Sequence, residues 1–293
     1  MRTIVSISDM QRFSDAEHRQ GHRVALVPTM GALHEGHLSL VRAARRRADT
    51  VVVSIFVNPI QFNSQRDFDL YPRDEARDSR LCQEEAVDVL FAPTAAEMYP
   101  SGFQTRVEVT EISKPLCGAH RPGHFAGVAT VVSKLFLAVK PDIAIFGEKD
   151  FQQLQVVRRL VRDLNFDVEI GGGETVREAD GLAMSSRNAR LGAAAREQAG
   201  AIPRALDRVR EAAAGGETDA ARLQAEFARE VERHGGRVEY AELRDPESLE
   251  PVAILEGSAL FAVAAWIGDV RLIDNTIIRS GEAVRIAAGG RSR

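Results

Sequence analysis

The sequence predicts an α/β fold: a parallel sheet with helices on both faces, followed by a smaller α+β region with a short antiparallel sheet. Three observations carry this. Apolar, β-branched runs at residues 50–57 and 142–146 read as strands covered on both faces, the signature of a parallel sheet. Segments of helical period alternate with them. Past three glycines at 171–173 the pattern changes to two helical segments and then three alternating runs. With 293 residues, 44% hydrophobic and 27% charged, the chain has room for one large core or two smaller ones.

Residues 6–20, polar with scattered apolar positions, form a leading helix, and 23–28 supply the first buried strand. That strand enters a glycine-punctuated turn, Val27-Pro28-Thr29-Met30-Gly31-Ala32-Leu33-His34-Glu35-Gly36-His37. An amphipathic helix follows, with Leu38, Leu40, Val41, Ala44 and Ala48 at helical spacing. Arg42, Arg45, Arg46 and Arg47 make its solvated face. Gly31 and Gly36 permit close backbone approach to a ligand, and unpaired N–H groups at a helix start favour an anion. Three readings are open here for His34 and His37: a phosphate site, a metal site and a solvated turn. A zinc-protease helix needs histidines at i and i+4. These two are three apart, which counts against a metal.

Residues 50–57 complete a βαβ unit over 23–57. Pro59 stops the strand and leaves Asn58 and Gln61 near the carboxyl end of the sheet, where open parallel sheets bind ligands. Their donors and acceptors suit a hydroxy acid, although loop amides are also commonly just solvated. Residues 63–80 are charged and poor in apolar side chains, which fits either a flap closing over reactants or a surface loop merging into a helix. Residues 87–91 read as a third strand, and 106–109 alternate like an edge strand. The stretch 116–125 opens a helix with Val128, Val131, Val132, Leu135, Phe136 and Val139 on one face, and Arg121 stands just ahead of it, placed to reach an anion.

The strand at 142–146 runs into Gly147-Glu148-Lys149-Asp150, again a glycine-marked turn into a helix. Lys149 offers a point charge for a phosphate, Asp150 either a helix cap or an acceptor for a ribose hydroxyl, and Gln153 an amide facing the same crevice. A short strand over 166–170 leads into the three glycines. In 180–188, Ser185 and Ser186 stand beside Arg187, a set able to wrap phosphate oxygens. Helical segments at 193–214 and 218–234 precede alternating runs at 237–243, 259–266 and 270–274, with Gly268-Asp269 making the last two a hairpin.

Charge and cysteine content exclude several classes. The 38 basic and 42 acidic residues give a net charge of −4, so no general attraction to nucleic acid or membrane is implied. Cys82 and Cys117 are too few for a disulfide framework and read as inert thiols. No apolar signal region follows Met1-Arg2, and no stretch approaches the ~20 apolar residues that span a bilayer, so the expected location is cytoplasmic.

Four segments taken together, residues 28–37, 56–62, 146–153 and 180–188, resemble the pantothenate synthetase (pantoate–β-alanine ligase) family, within the nucleotidylyltransferase superfamily that shares a His-x-Gly-His signature, here His34-Glu35-Gly36-His37. Arg-Pro-Gly-His-Phe-Ala-Gly-Val at 121–128 and Leu-Ile-Asp-Asn at 272–275 match as well. The resemblance implies a Rossmann-like nucleotide- and pantoate-binding domain over 1–175 and a smaller lid domain over 176–293. It implies ATP-dependent condensation of pantoate with β-alanine through pantoyl adenylate, releasing AMP and pyrophosphate. Catalysis then falls to His37, as proton donor, with His34, Lys149, Ser185, Ser186 and Arg187. ATP is held by Met30, Gly31, Ala32, Leu33, His34, Glu35, Gly36, His37, Gly147, Glu148, Lys149, Asp150, Val176, Met184, Ser185, Ser186 and Arg187. Pantoate is held by Met30, Asn58, Gln61, Arg121 and Gln153, and β-alanine also meets Gln61. Mg2+ accompanies ATP, with Asp78 as the one protein carboxylate toward it, and a homodimer is the implied assembly. One departure stands out: Gly171-Gly172-Gly173-Glu174-Thr175 replaces the family's Val-Gly-Val-Pro-Ile, and loss of that proline is expected to loosen the domain junction. Another nucleotidylyltransferase activity and a non-catalytic binding role are the rival functions.

Overall fold

The computed structural model describes residues 1–281 and divides into two compact units. The first comprises Met1–Glu178 and Ala183–Ser186, the second Ala179–Leu182 and the chain from Arg187 onward. Ala183–Ser186 is thus a re-entry that a single boundary at 175/176 does not contain. A bridge between Arg177 and Ala183 and a hydrogen bond from Met184 N–H to Val176 O (2.9 Å) account for it.

In chain order the first unit contains β1 (Arg2–Ile4), α1 (Ile7–Arg19), β2 (Val24–Thr29), α2 (Glu35–Arg45) and β3 (Thr50–Ile55). There follow α3 (Gln65–Asp69), α4 (Glu75–Glu84), β4 (Val89–Phe91), α5 (Ala95–Met98), α6 (Cys117–His120), α7 (His124–Val139), β5 (Ile143–Gly147), α8 (Phe151–Leu164) and β6 (Glu169–Gly173). The six strands pair in parallel in the order β1-β4-β3-β2-β5-β6. Because side chains alternate along a strand, Ala25 and Val27 pack on Leu40, Val41 and Ala44 of α2, while Val24 and Leu26, fully buried, point to the other face. There α7 packs against α1 and β2. The turns after β2, β3 and β5 therefore gather at one end of the sheet.

Several expectations change. β1 is only three residues long, too short to show a period, and is defined by its pairing with β4. Residues 106–109 form no strand. Val107 and Val109 are half-buried and Arg106 and Glu108 exposed, as the alternation requires, but the Val107 N–H donates to Thr130 Oγ1 (3.0 Å) rather than to a neighbouring strand. The last strand is Glu169–Gly173, not 166–170, so the glycines lie inside the sheet, paired with Ile145, Phe146 and Gly147. A Cβ would stand 2.6 Å from Ile145 at Gly171, 2.6 Å from Glu148 at Gly172 and 2.1 Å from Leu40 at Gly173. The glycines leave room for the neighbouring side chains of Ile145, Glu148 and Leu40. The charged stretch 63–80 carries α3 and α4, capped by Ser64 and Asp74.

The second unit contains α9 (Ala193–Ala199), α10 (Ala201–Ala214), α11 (Ala220–Arg233), β7 (Arg237–Arg244), β8 (Ser258–Ile267) and β9 (Val270–Arg279). The expected helix over 193–214 is two helices meeting at Gly200, and Pro203 falls in the first turn of α10, where no N–H is needed. The sheet is antiparallel in the order β7-β8-β9. Gly268 (φ +60°) and Asp269 join β8 to β9 as a two-residue hairpin loop. Leu206 and Val209 of α10 and Leu223, Phe227 and Val231 of α11 pack on Phe261, Val263 and Ala265 of β8. Phe227 and Phe261 meet edge to face, 5.9 Å between centroids.

Candidate active site

The turn after β2 is built by hydrogen bonds at each step. Thr29 Oγ1 donates to Ser54 O (2.8 Å) and accepts the Gly31 N–H (3.2 Å). Gly31 (φ +80°) and Ala32 (φ +50°) are both left-handed, which turns successive N–H groups toward one point. The anion at that point belongs to the protein. Asp78 of α4, 1% exposed, accepts from Ala32 N–H (2.7 Å) and Leu33 N–H (2.8 Å), and Arg77 Nη1 donates to Leu33 O (2.8 Å). Each Asp78 oxygen is engaged by a backbone N–H and the side chain is enclosed, so the carboxylate braces the turn. Among the described residues no group of three or more His, Cys, Asp or Glu could hold a metal ion. Burial first, and the Asp78 charge second, push the Cys82 thiol up to about 12, so it is inert.

His34 occupies the N-cap position of α2, and its N–H donates to His37 Nδ1 (3.3 Å). The rings lie 4.1 Å apart at 37°. Gly36 makes this possible, because a Cβ there would stand 2.9 Å from His34 Cε1. Burial, then the Lys149 charge, lower His34 to about 4; burial, then His34, lower His37 to about 3. With Nδ1 accepting, the His37 proton sits on Nε2 of a neutral ring. A neutral His37 can donate a hydrogen bond from Nε2. Lys149 stands near both rings, 3.8 Å from the Asp150 carboxylate. Asp150 occupies the N-cap position of α8 but makes no capping bond. Glu35 pairs with Arg42 on the exposed face of α2, and Arg45 and Arg47 pair with Asp88 and Glu169, so that face is held by ion pairs rather than bare.

The depressed histidines set a pH dependence. Between pH 6.5 and about 4 for His34, or about 3 for His37, the unfolded chain takes up protons that the folded chain refuses. Stability therefore falls as pH drops through that window and gains nothing from these groups above it. In the doubly substituted His34→Gln, His37→Gln chain, the midpoint of thermal unfolding should depend less steeply on pH from 6.5 to 4. Parallel curves for the two chains would exclude the effect.

A second cluster lies beside Met30 in the same turn. Asn58 (1% exposed) and Gln61 (7%) are buried amides joined by Asn58 Nδ2 donating to Gln61 Oε1 (2.9 Å). Gln61 Nε2 is turned to Met30 Sδ (3.0 Å). Arg121 reaches Gln61 through its main chain: Nη2 donates to Gln61 O (3.4 Å), Nη1 to His124 Nε2 (3.3 Å), and His124 Nδ1 donates to Gln61 O (2.8 Å). Gly127 lets α7 come this close, since a Cβ there would stand 2.6 Å from Ile60 O. Gln153 is half-buried, and its side chain makes no hydrogen bond among the described residues. Its neighbour Gln152, missed from sequence, is buried and ties the 112–117 segment through Cys117 N–H, Ile112 O and Pro115 O. Tyr99, also missed, donates to Asn58 Oδ1 (2.8 Å).

Val176 and Met184 are joined by their main chains, and Met184 Cβ lies 3.7 Å from where a side chain at Gly36 would begin. Gly147, at the end of β5, leads into the short helical turn Glu148–Asp150. Ser185 and Ser186 belong to the first unit, and Arg187 belongs to the second. Tyr71 Oη lies 3.4 Å from Ser186 Oγ, and its ring meets Phe62 edge to face. No signal in the sequence marked Tyr71 out from the charged stretch around it.

The model of the family described as pantoate-beta-alanine ligase matches residues 2–277. A pantothenate synthetase from Geobacter sulfurreducens is 53% identical over 279 residues, 95% of this chain and 99% of its own length. One from Thermotoga neapolitana is 51% identical, again over 95% of this chain and 100% of its own. The crystal structure of pantothenate synthetase from Thermus thermophilus superposes with a TM-score of 0.89 at 47% identity, covering 94% of this chain and 99% of that one. That of a pantoate-beta-alanine ligase from Francisella tularensis, complexed with beta-gamma ATP and beta-alanine, gives a TM-score of 0.81 at 34% identity over 94% and 97%.

Proposed function

The chain belongs to the pantoate-beta-alanine ligase family, and from that premise we propose that it is an enzyme joining pantoate to β-alanine with ATP to form pantothenate. In the first step a pantoate carboxylate oxygen attacks the α-phosphorus and the bond to the β-phosphate oxygen breaks, giving pantoyl adenylate and pyrophosphate. In the second the β-alanine amine attacks the acyl carbon, the C–O bond to AMP breaks, and the amine gives up its proton. No covalent enzyme intermediate is needed, so the protein's part is positioning and charge stabilisation.

One observation carries the reading. A single turn, Met30 to His37, presents two neutral imidazoles beside Lys149 at one end and a buried donor amide, Gln61 against Met30, at the other. The first suits phosphate oxygens, the second the oxygens of a small acid, and the turn sets them side by side as adenylation requires. His37 Nε2–H and Lys149 would meet the charge developing at phosphorus, with Ser185 and Ser186 on further phosphate oxygens. Gly31, Ala32, Leu33, Gly147, Asp150, Val176 and Met184 would line the nucleoside. With Asp78 enclosed and no other cage among the described residues, Mg2+ would arrive on the ATP phosphates. Among the described residues no helix is long and apolar enough to cross a membrane. Family resemblance supports a homodimer, and the two buried free thiols fit the cytoplasm.

The test is AMP release from ATP, pantoate and β-alanine. It should require pantoate, and equal AMP and pyrophosphate without pantoate would sink the reading. Gln61→Ala should raise the KM for pantoate ~10–100-fold, the scale of one hydrogen bond to a charged group, and barely move that for ATP. The reverse pattern would reassign the pocket.

A further inference from the structure

We propose that Tyr99 is a positioning residue for the acid substrate, acting together with Gly127 O on Asn58 to hold the end of the Gln61 amide that substrate meets. The inference rests on the function proposed above. It follows from counting donors and acceptors. Gly127 O can only accept, and it lies 3.1 Å from Asn58 Nδ2, so that nitrogen must face it. The second Nδ2 hydrogen then points at Gln61, 2.9 Å away, which fixes Oε1 as the near end of the Gln61 amide. The far end, Nε2, is left facing Met30 Sδ at 3.0 Å, a weak acceptor that a substrate oxygen readily replaces.

Asn58 Oδ1 completes the chain of donation by accepting from the Tyr99 hydroxyl at 2.8 Å. Burial raises the phenol well above its usual range, so it keeps the proton it donates. With Asn58 only 1% exposed, that hydroxyl is the group holding Oδ1 where water has little access. An inverted Asn58 would invert Gln61 as well, presenting a carbonyl dipole to an anionic acid. The ring itself is held separately, between Phe56 (6.0 Å) and Phe103 (5.1 Å), with the Lys134 ammonium 6.0 Å from its centroid. Removing only the hydroxyl therefore leaves the packing in place.

Tyr99→Phe is the test, with Tyr99→Phe combined with Gln61→Ala as its control. In the intact enzyme Tyr99→Phe should raise the KM for pantoate about 10-fold and leave that for ATP within about twofold, because one oriented hydrogen bond is lost. In the Gln61→Ala background the same substitution should weaken pantoate binding, read by calorimetry, by less than about twofold, since groups acting in one chain are not additive. A purely structural tyrosine would give equal losses in both backgrounds, or parallel rises in both KM values, and either result overturns the inference. An unchanged pantoate KM in Tyr99→Phe overturns it too. If the unaltered chain turns over no pantoate, the functional reading itself has failed, which is a distinct result.

Discussion

Replacing His37 by Ala should lower the rate of pyrophosphate release from ATP and pantoate by ~10²–10³-fold while the fold persists, the scale set by losing one preorganised donor to a developing charge. The fold should persist because His37 is half-buried and contributes one 3.3 Å hydrogen bond to the turn, whose shape is fixed instead by Thr29 and Asp78. The protonation state sharpens the expectation. A ring lowered to about 3 by burial and by His34 is neutral throughout the working range, so the rate should show no decline between pH 6.5 and 8 from loss of an imidazolium. Near-normal turnover in the variant would remove His37 from the chemistry, and a fall in rate across that interval, absent in the variant, would restore the proton-donor role.

Asp78→Ala should be the most destabilising single substitution at the site. It strips the acceptor from two backbone N–H groups, Ala32 and Leu33, held at 2.7 and 2.8 Å by a carboxylate that is 1% exposed. Hydrogen bonds to a charged group contribute about 1.5–3 kcal/mol each, so a loss of roughly 3–5 kcal/mol is expected. For a domain of this size that lowers the thermal midpoint by about 10 °C, without nucleotide or metal present. Asp78→Asn, which keeps one acceptor, should fall between. A metal ligand would behave otherwise: the midpoint of the free protein would hold and only the Mg2+ requirement would rise.

Much of the sheet was legible because buried parallel strands advertise themselves: residues 50–57 and 142–146 are apolar on both faces and end at a proline or a glycine. Residues 106–109 misled because alternation records which side chains are covered, whereas a strand also needs a partner for its N–H groups, and Thr130 took that of Val107. The strand reads as ending before the glycines at 171–173 because glycine disfavours strands in general, yet here Leu40, Ile145 and Glu148 occupy the volume side chains would take. In the candidate site, His34, His37, Lys149, Asn58 and Gln61 were legible because their side chains and glycine- or proline-marked turns stand out in the sequence. Tyr99, Tyr71 and Gln152 were not, since a group that orients another declares itself only through a contact distant in sequence: 41 positions for Tyr99 and Asn58, 115 for Tyr71 and Ser186. Asp78 was singled out without its backbone partners Ala32 and Leu33, because a carboxylate's partner cannot be read from its own segment.

The re-entry of Ala183–Ser186 bears on how the chain can be divided in practice. Residues 179–182 and 187 onward belong to one body and 183–186 to the other, so the polypeptide passes between them three times within ten residues. No single stop codon or proteolytic nick yields the first body with its full complement of chain. Ending the gene at 178 discards the two serines proposed for phosphate, and ending it at 186 retains a fragment of the other body. A split version must supply Ala183–Ser186 as a tethered loop, with a short linker replacing Ala179–Leu182.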